Sequence, residues 1–251
     1  MKQLRLTALA LAAISTCLAA DKVLVYTRNY TPDGKGYVHD NIATSVEAIR
    51  SMGLENGFEV DASDDPKLFT TDHLKKYKAI VFSNSNNEAF ENDAQREALQ
   101  KFVRAGGGVV GIHSATGSER KWPYFWSLMG GRFIRHPVLQ KFTVLVKDTN
   151  HPSTAGLPAK FEWEDECYLF DQANSHVRVL LAADPAQLQD PKRTEQPGAL
   201  REGQYPLAWY NTADGGRQYY IALGHKKEHY ADPIFRRQVL GGILWVLGRK
   251  R

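Results

Sequence analysis

Imidazole titrates near neutral pH and can act as acid, base or metal ligand, so the eight histidines of this 251-residue chain are where chemistry could reside. Three of them follow apolar runs that read as strands. His113 comes directly after Gly108-Val-Val-Gly-Ile112, His225 directly after Tyr220-Ile-Ala-Leu-Gly224, and His39 after the first strand and its loop. If those strands are parallel, all three rings arrive at one sheet edge, where open α/β folds bind ligands. Each alone reads more readily as a buried structural histidine; the shared edge is what favours function. With a carboxylate they would form a zinc-type ligand set, so a divalent metal is a candidate cofactor. No HxH or HExxH spacing supports that set, and its ligands would have to converge from separate loops.

The carboxylates come from Glu162, Glu164, Asp165 and Glu166. Extended backbone alternates its side chains, which puts Asp165 and Cys167 on one face and Glu164, Glu166 and Tyr168 on the other. Only some of these acids can then enter one site; an exposed charged strand is the plainer alternative. These acids are kept as catalytic candidates beside the three histidines. His136, before Pro137, could line a cleft, whereas His151-Pro152 reads as a loop-shaping pair. Glu228, three residues after His225, could orient its ring if a helical turn connects them. Trp122-Pro-Tyr-Phe-Trp126 could wall a pocket with aromatic faces or pack as an amphipathic helix. Tyr26, Arg28 and Asn29 leave the first strand and could supply polar contacts.

The elements that would position these residues alternate in type. Strands are expected at 22–27, 58–62, 79–83 and 109–112, with helices at 39–52 and from Asn92 to Ala105 between them. Asn92 and Gln95 make a capping-box start, Thr71 can cap a short helix, and Gly106-Gly-Gly108 ends the second long one. That alternation implies βαβ units and an open, mostly parallel sheet flanked by helices. The second half reads as a β-rich inserted portion, with strands at 141–147 and 177–183 and an extended stretch at 161–169. A polar loop over 184–204 follows, then a hairpin through Asp214-Gly215-Gly216. Asp232-Pro233 opens a last helix with Phe235, Val239, Ile243 and Val246 as its apolar stripe.

Composition is that of a globular protein: 43% hydrophobic, 24% charged and two cysteines, which argues against disorder or a disulfide scaffold. A formal net charge of +4 gives no reason to expect nucleic acid. GxGxxG and P-loop patterns are absent, so no dinucleotide or nucleoside triphosphate is expected. Lys2 and Arg5, the apolar stretch Leu6 to Leu18, and Ala19-Ala20 before Asp21 have the layout of a signal peptide. The apolar stretch is short for a membrane span, which needs roughly 20 residues. Cleavage after Ala20 would leave one α/β domain over residues 21–251, exported and with Cys167 as its sole thiol. An uncleaved anchor, or a lipoprotein acylated at Cys17, are the alternatives. A homo-oligomer is compatible with the sequence.

Gly106-Gly-Gly-Val-Val-Gly-Ile-His-Ser-Ala115 resembles the nucleophile elbow of class I glutamine amidotransferases, with His113 in the place of their cysteine. Acyl transfer by a thiolate needs the thiol at that turn, so glutamine hydrolysis is not expected. The wider pattern resembles the ThuA-like, trehalose-utilisation family. Its pieces are Tyr37-Val-His39, Gly108 to Ser114, Leu128-Met-Gly-Gly-Arg-Phe133, His136-Pro137 and His151-Pro152 with Gly156-Leu-Pro158. Trp163-Glu-Asp-Glu166 with Tyr168, Pro206-Leu-Ala-Trp209 and Gly224-His225 complete the order. The resemblance implies an amidotransferase-like fold without the cysteine, a small-molecule carbohydrate substrate, and Asp165 with Glu166 as the family's acidic pair. It also implies pathways that handle trehalose and 3-keto-glycosides, as a hydrolase or lyase.

Overall fold

The computed structural model describes residues 20–194 and 205–249. The expected export segment therefore lies outside the described residues except for Ala20, as do the end of the 184–204 loop and the last two residues of the chain. Nine strands form one sheet: β1 (Asp21–Tyr26), β2 (Phe58–Ser63), β3 (Ala79–Ser83), β4 (Gly108–Ile112), β5 (Gln140–Val146), β6 (Lys160–Asp165), β7 (Arg178–Ala183), β8 (Tyr205–Ala213) and β9 (Gly216–Ile221). Their spatial order is β2-β1-β3-β4-β9-β8-β7-β5-β6. The first five pair in parallel and the rest antiparallel. The β-rich insertion thus extends the same sheet, entering the chain between β4 and β9.

Val23, Leu24, Val25, Ile80, Val81, Val109 and Val110 are wholly buried, as continuous apolar strands must be when helices cover both faces. The longer helices are α1 (Ile42–Asn56), α2 (Asp93–Arg104), α3 (Pro123–Met129) and α4 (Pro233–Val246). The crossovers β1-α1-β2 and β3-α2-β4 run in opposite directions across the sheet. Right-handed connection then places α1 and α2 on opposite faces, and α1 packs beside α4. Local signals fix the helix starts. Asn92 accepts the Gln95 N–H, and Asp232 accepts those of Ile234 and Phe235 with Pro233 at the first position. At the short helix Thr71–Leu74 the capping oxygen belongs to Thr70, which accepts from His73, and not to Thr71.

This topology has one functional consequence. The chain leaves β1 toward β2 on one side and resumes with β3 on the other, so a crevice opens beyond their carboxyl ends. The loops after β1, β3, β4 and β9 all emerge there. Among the described residues no helix is long and apolar enough to cross a membrane.

Candidate functional site

His113 begins the loop after β4 with a left-handed backbone, φ 52°. For a residue with a side chain this conformation is costly and is held by its surroundings. The ring is fully buried. Its Nδ1–H donates to the carbonyl of Ala222 in the neighbouring β9 segment at 2.7 Å, which leaves Nε2 as the lone-pair nitrogen. That nitrogen meets His39 Nε2 at 3.1 Å, the Tyr168 hydroxyl at 2.9 Å and Glu166 Oε2 at 3.6 Å. His39 turns its other nitrogen to Ser114 Oγ at 3.3 Å. His225 places Nδ1 3.3 Å from Glu166 Oε2, and His136 places Nε2 3.5 Å from Glu166 Oε1. Donor atoms of His39, His113, Glu166 and His225 all lie within 4.8 Å of one another; these are the side chains that could hold a metal.

Burial sets the charge state. It pushes His39 down to about 4, helped by the charge of neighbouring His225. His113 is held well below the ordinary histidine value by burial and by His39. Two neutral imidazoles therefore face one carboxylate at neutral pH. Tyr168, stacked against His113 and packed on Phe133, is raised by burial and by Glu166, so its hydroxyl stays protonated as a donor.

Strand alternation sorts the acids. Past the end of β6, Glu166 and Tyr168 turn toward His113, while Asp165 and Cys167 are wholly buried. Asp165 is therefore not a group that meets a ligand. Its oxygens accept the N–H groups of Glu166 and Gly224, both at 2.8 Å, and the Trp163 indole at 3.1 Å. His229 Nδ1 lies 3.3 Å away. Asp165 thus clamps the backbones that carry Glu166 and His225 together, and burial raises it to about 7 despite three N–H donors. Only glycine fits this turn, at φ 119°, because a Cβ at Gly224 would meet the Phe235 ring at 2.8 Å.

Other expected residues lie elsewhere. Tyr26, the last residue of β1, points into the core against Phe69, Phe82 and Phe90 and donates to Ala89 O at 2.6 Å. Arg28 pairs with Glu91 and covers Tyr30. Trp122, half-buried, packs on Phe90, Tyr124 and Phe125. Glu228 is exposed on the turn Lys227–Ala231 and does not orient His225; the carboxylate facing that ring is Glu166. His151 is a buried plate against Tyr210, Tyr219 and Trp245.

Two residues that sequence reading missed hold the loops in place. Asn41 Nδ2 reaches the carbonyl oxygens of Gly224 and His225, both at 2.7 Å, and Asn84 Oδ1 at 3.2 Å. It joins the His39 loop to the His225 loop. Asn84, itself left-handed at the end of β3, donates to Tyr230. A buried asparagine at a helix start has no signature in one sequence beyond a capping preference.

A family model described as trehalose utilisation, ThuA, matches residues 22–246. Among solved structures, a ThuA-like protein from Bacteroides uniformis is 24% identical, with a TM-score of 0.70 over 94% of this chain and 95% of that one. One from Parabacteroides merdae is 22% identical, with a TM-score of 0.65 over 92% and 91%. A cytoplasmic protein from Salmonella typhimurium is 12% identical, with a TM-score of 0.60 over 90% and 98%. No curated protein sequence matches. The fold is glutamine amidotransferase-like, its elbow carries His113 in place of a thiol, and the chain belongs to the ThuA, trehalose-utilisation family.

Proposed function

We propose that this is an exported protein that cleaves an oxidised sugar derivative, a 3-keto-glycoside or related disaccharide, at the cluster of His39, His113, His225 and Glu166. The observation that carries the reading is the convergence of three imidazoles and one carboxylate at the carboxyl edge of the sheet. A ketone at C3 acidifies the C2 proton, so a base can start elimination of the anomeric substituent. That chemistry needs a base, a proton for the leaving oxygen and stabilisation of the enolate. Burial keeps the His39 and His113 rings neutral, so each presents a lone-pair nitrogen to the site. The Tyr168 hydroxyl, beside His113, is a donor for developing negative charge. His136 is the most open ring of the group and borders Glu166, where it can pass a proton to a departing oxygen. The family's link with trehalose supports a saccharide substrate, and the layout of residues 1–20 supports export.

The test is to incubate residues 21–251 with trehalose and with its 3-keto derivative. Product from the oxidised sugar alone, lost in His113→Ala and His225→Ala, is expected. No product from either sugar sinks the reading, and tight sugar binding without turnover points instead to a binding protein on the same fold.

A further inference from the structure

The geometry points to a zinc-type cation held by His39, His113 and His225, with Glu166 as a fourth ligand that substrate or water displaces. The inference deepens the reading of this cluster as the reactive centre, and rests on it for the role of the displaced position. Four ligands at about 2.0–2.1 Å from a tetrahedral ion stand roughly 3.3–3.4 Å from each other. The separations here are 3.1 Å for His113 to His39, 3.6 Å for His113 to Glu166 and 3.3 Å for His225 to Glu166. All four donor atoms, brought by separate segments of the chain, lie within 4.8 Å of one another, near enough to close on one ion.

The surroundings are those of metal ligands. A ligating imidazole commonly donates its second N–H to a backbone carbonyl, which fixes the ring and aims the lone pair; His113 does this to Ala222. His39 turns its second nitrogen to the Ser114 hydroxyl. His225 Nδ1 supplies an independent observation, because it is buried, makes no hydrogen bond, and is aimed into the centre. A cation answers that unpaired nitrogen directly. Neutral rings are also the form that binds a metal without first losing a proton.

Glu166 differs from the three histidines. Its Oε2 faces their nitrogens, whereas Oε1 already has a neighbour in His136, at 3.5 Å. A catalytic zinc keeps one position open, and a structural zinc is closed by four protein ligands. Release of Oε2 toward His136 would convert the closed set into three histidines and an exchangeable site. The freed carboxylate would then stand beside the bound substrate as a base.

The experiment uses residues 21–251 freed of metal by chelator and titrated with Zn²⁺, then with Co²⁺, whose visible absorption reports its geometry. One equivalent of each is expected. His39→Ala, His113→Ala and His225→Ala should each weaken zinc by at least ~100-fold, since each removes a direct ligand bond rather than an outer-shell contact. Glu166→Gln should keep one equivalent and lose less than ~10-fold, with a shifted cobalt spectrum. His176→Ala, on an exposed loop, should change nothing. Thermal melts in metal-free buffer check folding, and His→Gln replaces any alanine variant that does not melt cooperatively. Absence of one-equivalent binding, or histidine variants that bind like the parent, overturns the centre. A Glu166→Gln variant as weak as the histidine variants overturns the displaceable role. Zinc binding without sugar turnover upholds the centre and sinks the proposed cleavage. Turnover indifferent to chelator does the reverse.

Discussion

His113 and His151 are both buried, and burial pushes both below the usual histidine range, His151 to about 4. Their neighbourhoods are opposites. Around His113 stand two more imidazoles, a carboxylate and a phenol, with ring nitrogens and oxygens turned to one point. Around His151 stand the faces of Tyr210, Tyr219 and Trp245, and Nδ1 is taken by Ser153 at 2.8 Å. A depressed imidazole therefore reports only desolvation. What separates a reactive ring from a packing ring is whether other polar groups share its target.

Substitution makes the contrast measurable. His113→Ala should lower turnover of the oxidised sugar, measured per folded molecule, by about 10²–10⁴-fold, with a stability loss like that of any truncated buried ring; retained turnover would dissolve the distinction. Asp165→Ala sits between the two cases. It strands three N–H donors in the interior, at a cost of about 3–5 kcal/mol, and should also loosen Glu166 and His225. Denaturant melts and turnover should fall together. His151→Ala should cost roughly 2–4 kcal/mol as a cavity in an aromatic stack, yet leave turnover per folded molecule within about twofold. A large catalytic loss there would place His151 in the wrong class.

Acid should act on both regions alike. His39, His151 and His229 are each lowered to about 4. The unfolded chain then binds more protons than the folded one below about pH 6.5. Their contribution is complete above that pH and is lost as pH falls toward 4. Asp165, raised to about 7, runs the other way and offsets one proton. Denaturant melts between pH 7 and 5 should therefore lose stability faster than the one-proton slope of about 1.4 kcal/mol per pH unit. A flat profile would mean that these rings are protonated in the fold. The smallest effect belongs to Arg28→Ala. Its pairing with Glu91 is a surface interaction worth under about 1 kcal/mol, and KM should not move.

Much of this was legible in the residues. Apolar β-branched runs marked β1, β3 and β4, and Asp214-Gly215 adopts the positive-φ turn that the hairpin needs. The strand ends brought His39, His113 and His225 to one edge, and alternation separated Glu166 from Asp165. Other features depend on side-chain direction or distant packing. Tyr26 looked available at a strand exit, but pleating sends it inward onto three phenylalanines. Glu228 had the right helical spacing from His225, but the turn there is a 3₁₀ segment that begins only at Lys227. That the insertion would lengthen one sheet depends on β9 pairing with β4 and β7 with β8, contacts that no local pattern encodes.

The left-handed turn at His113 separates direction from reactivity. Backbone geometry, held by the Tyr220 hydroxyl on the His113 carbonyl and by the β4–β9 pairing, decides where the side chain of residue 113 must point. The identity of that side chain decides what happens there. An architecture of this kind can exchange one reaction for another by changing a single letter at a fixed address, without rebuilding the sheet that supplies it.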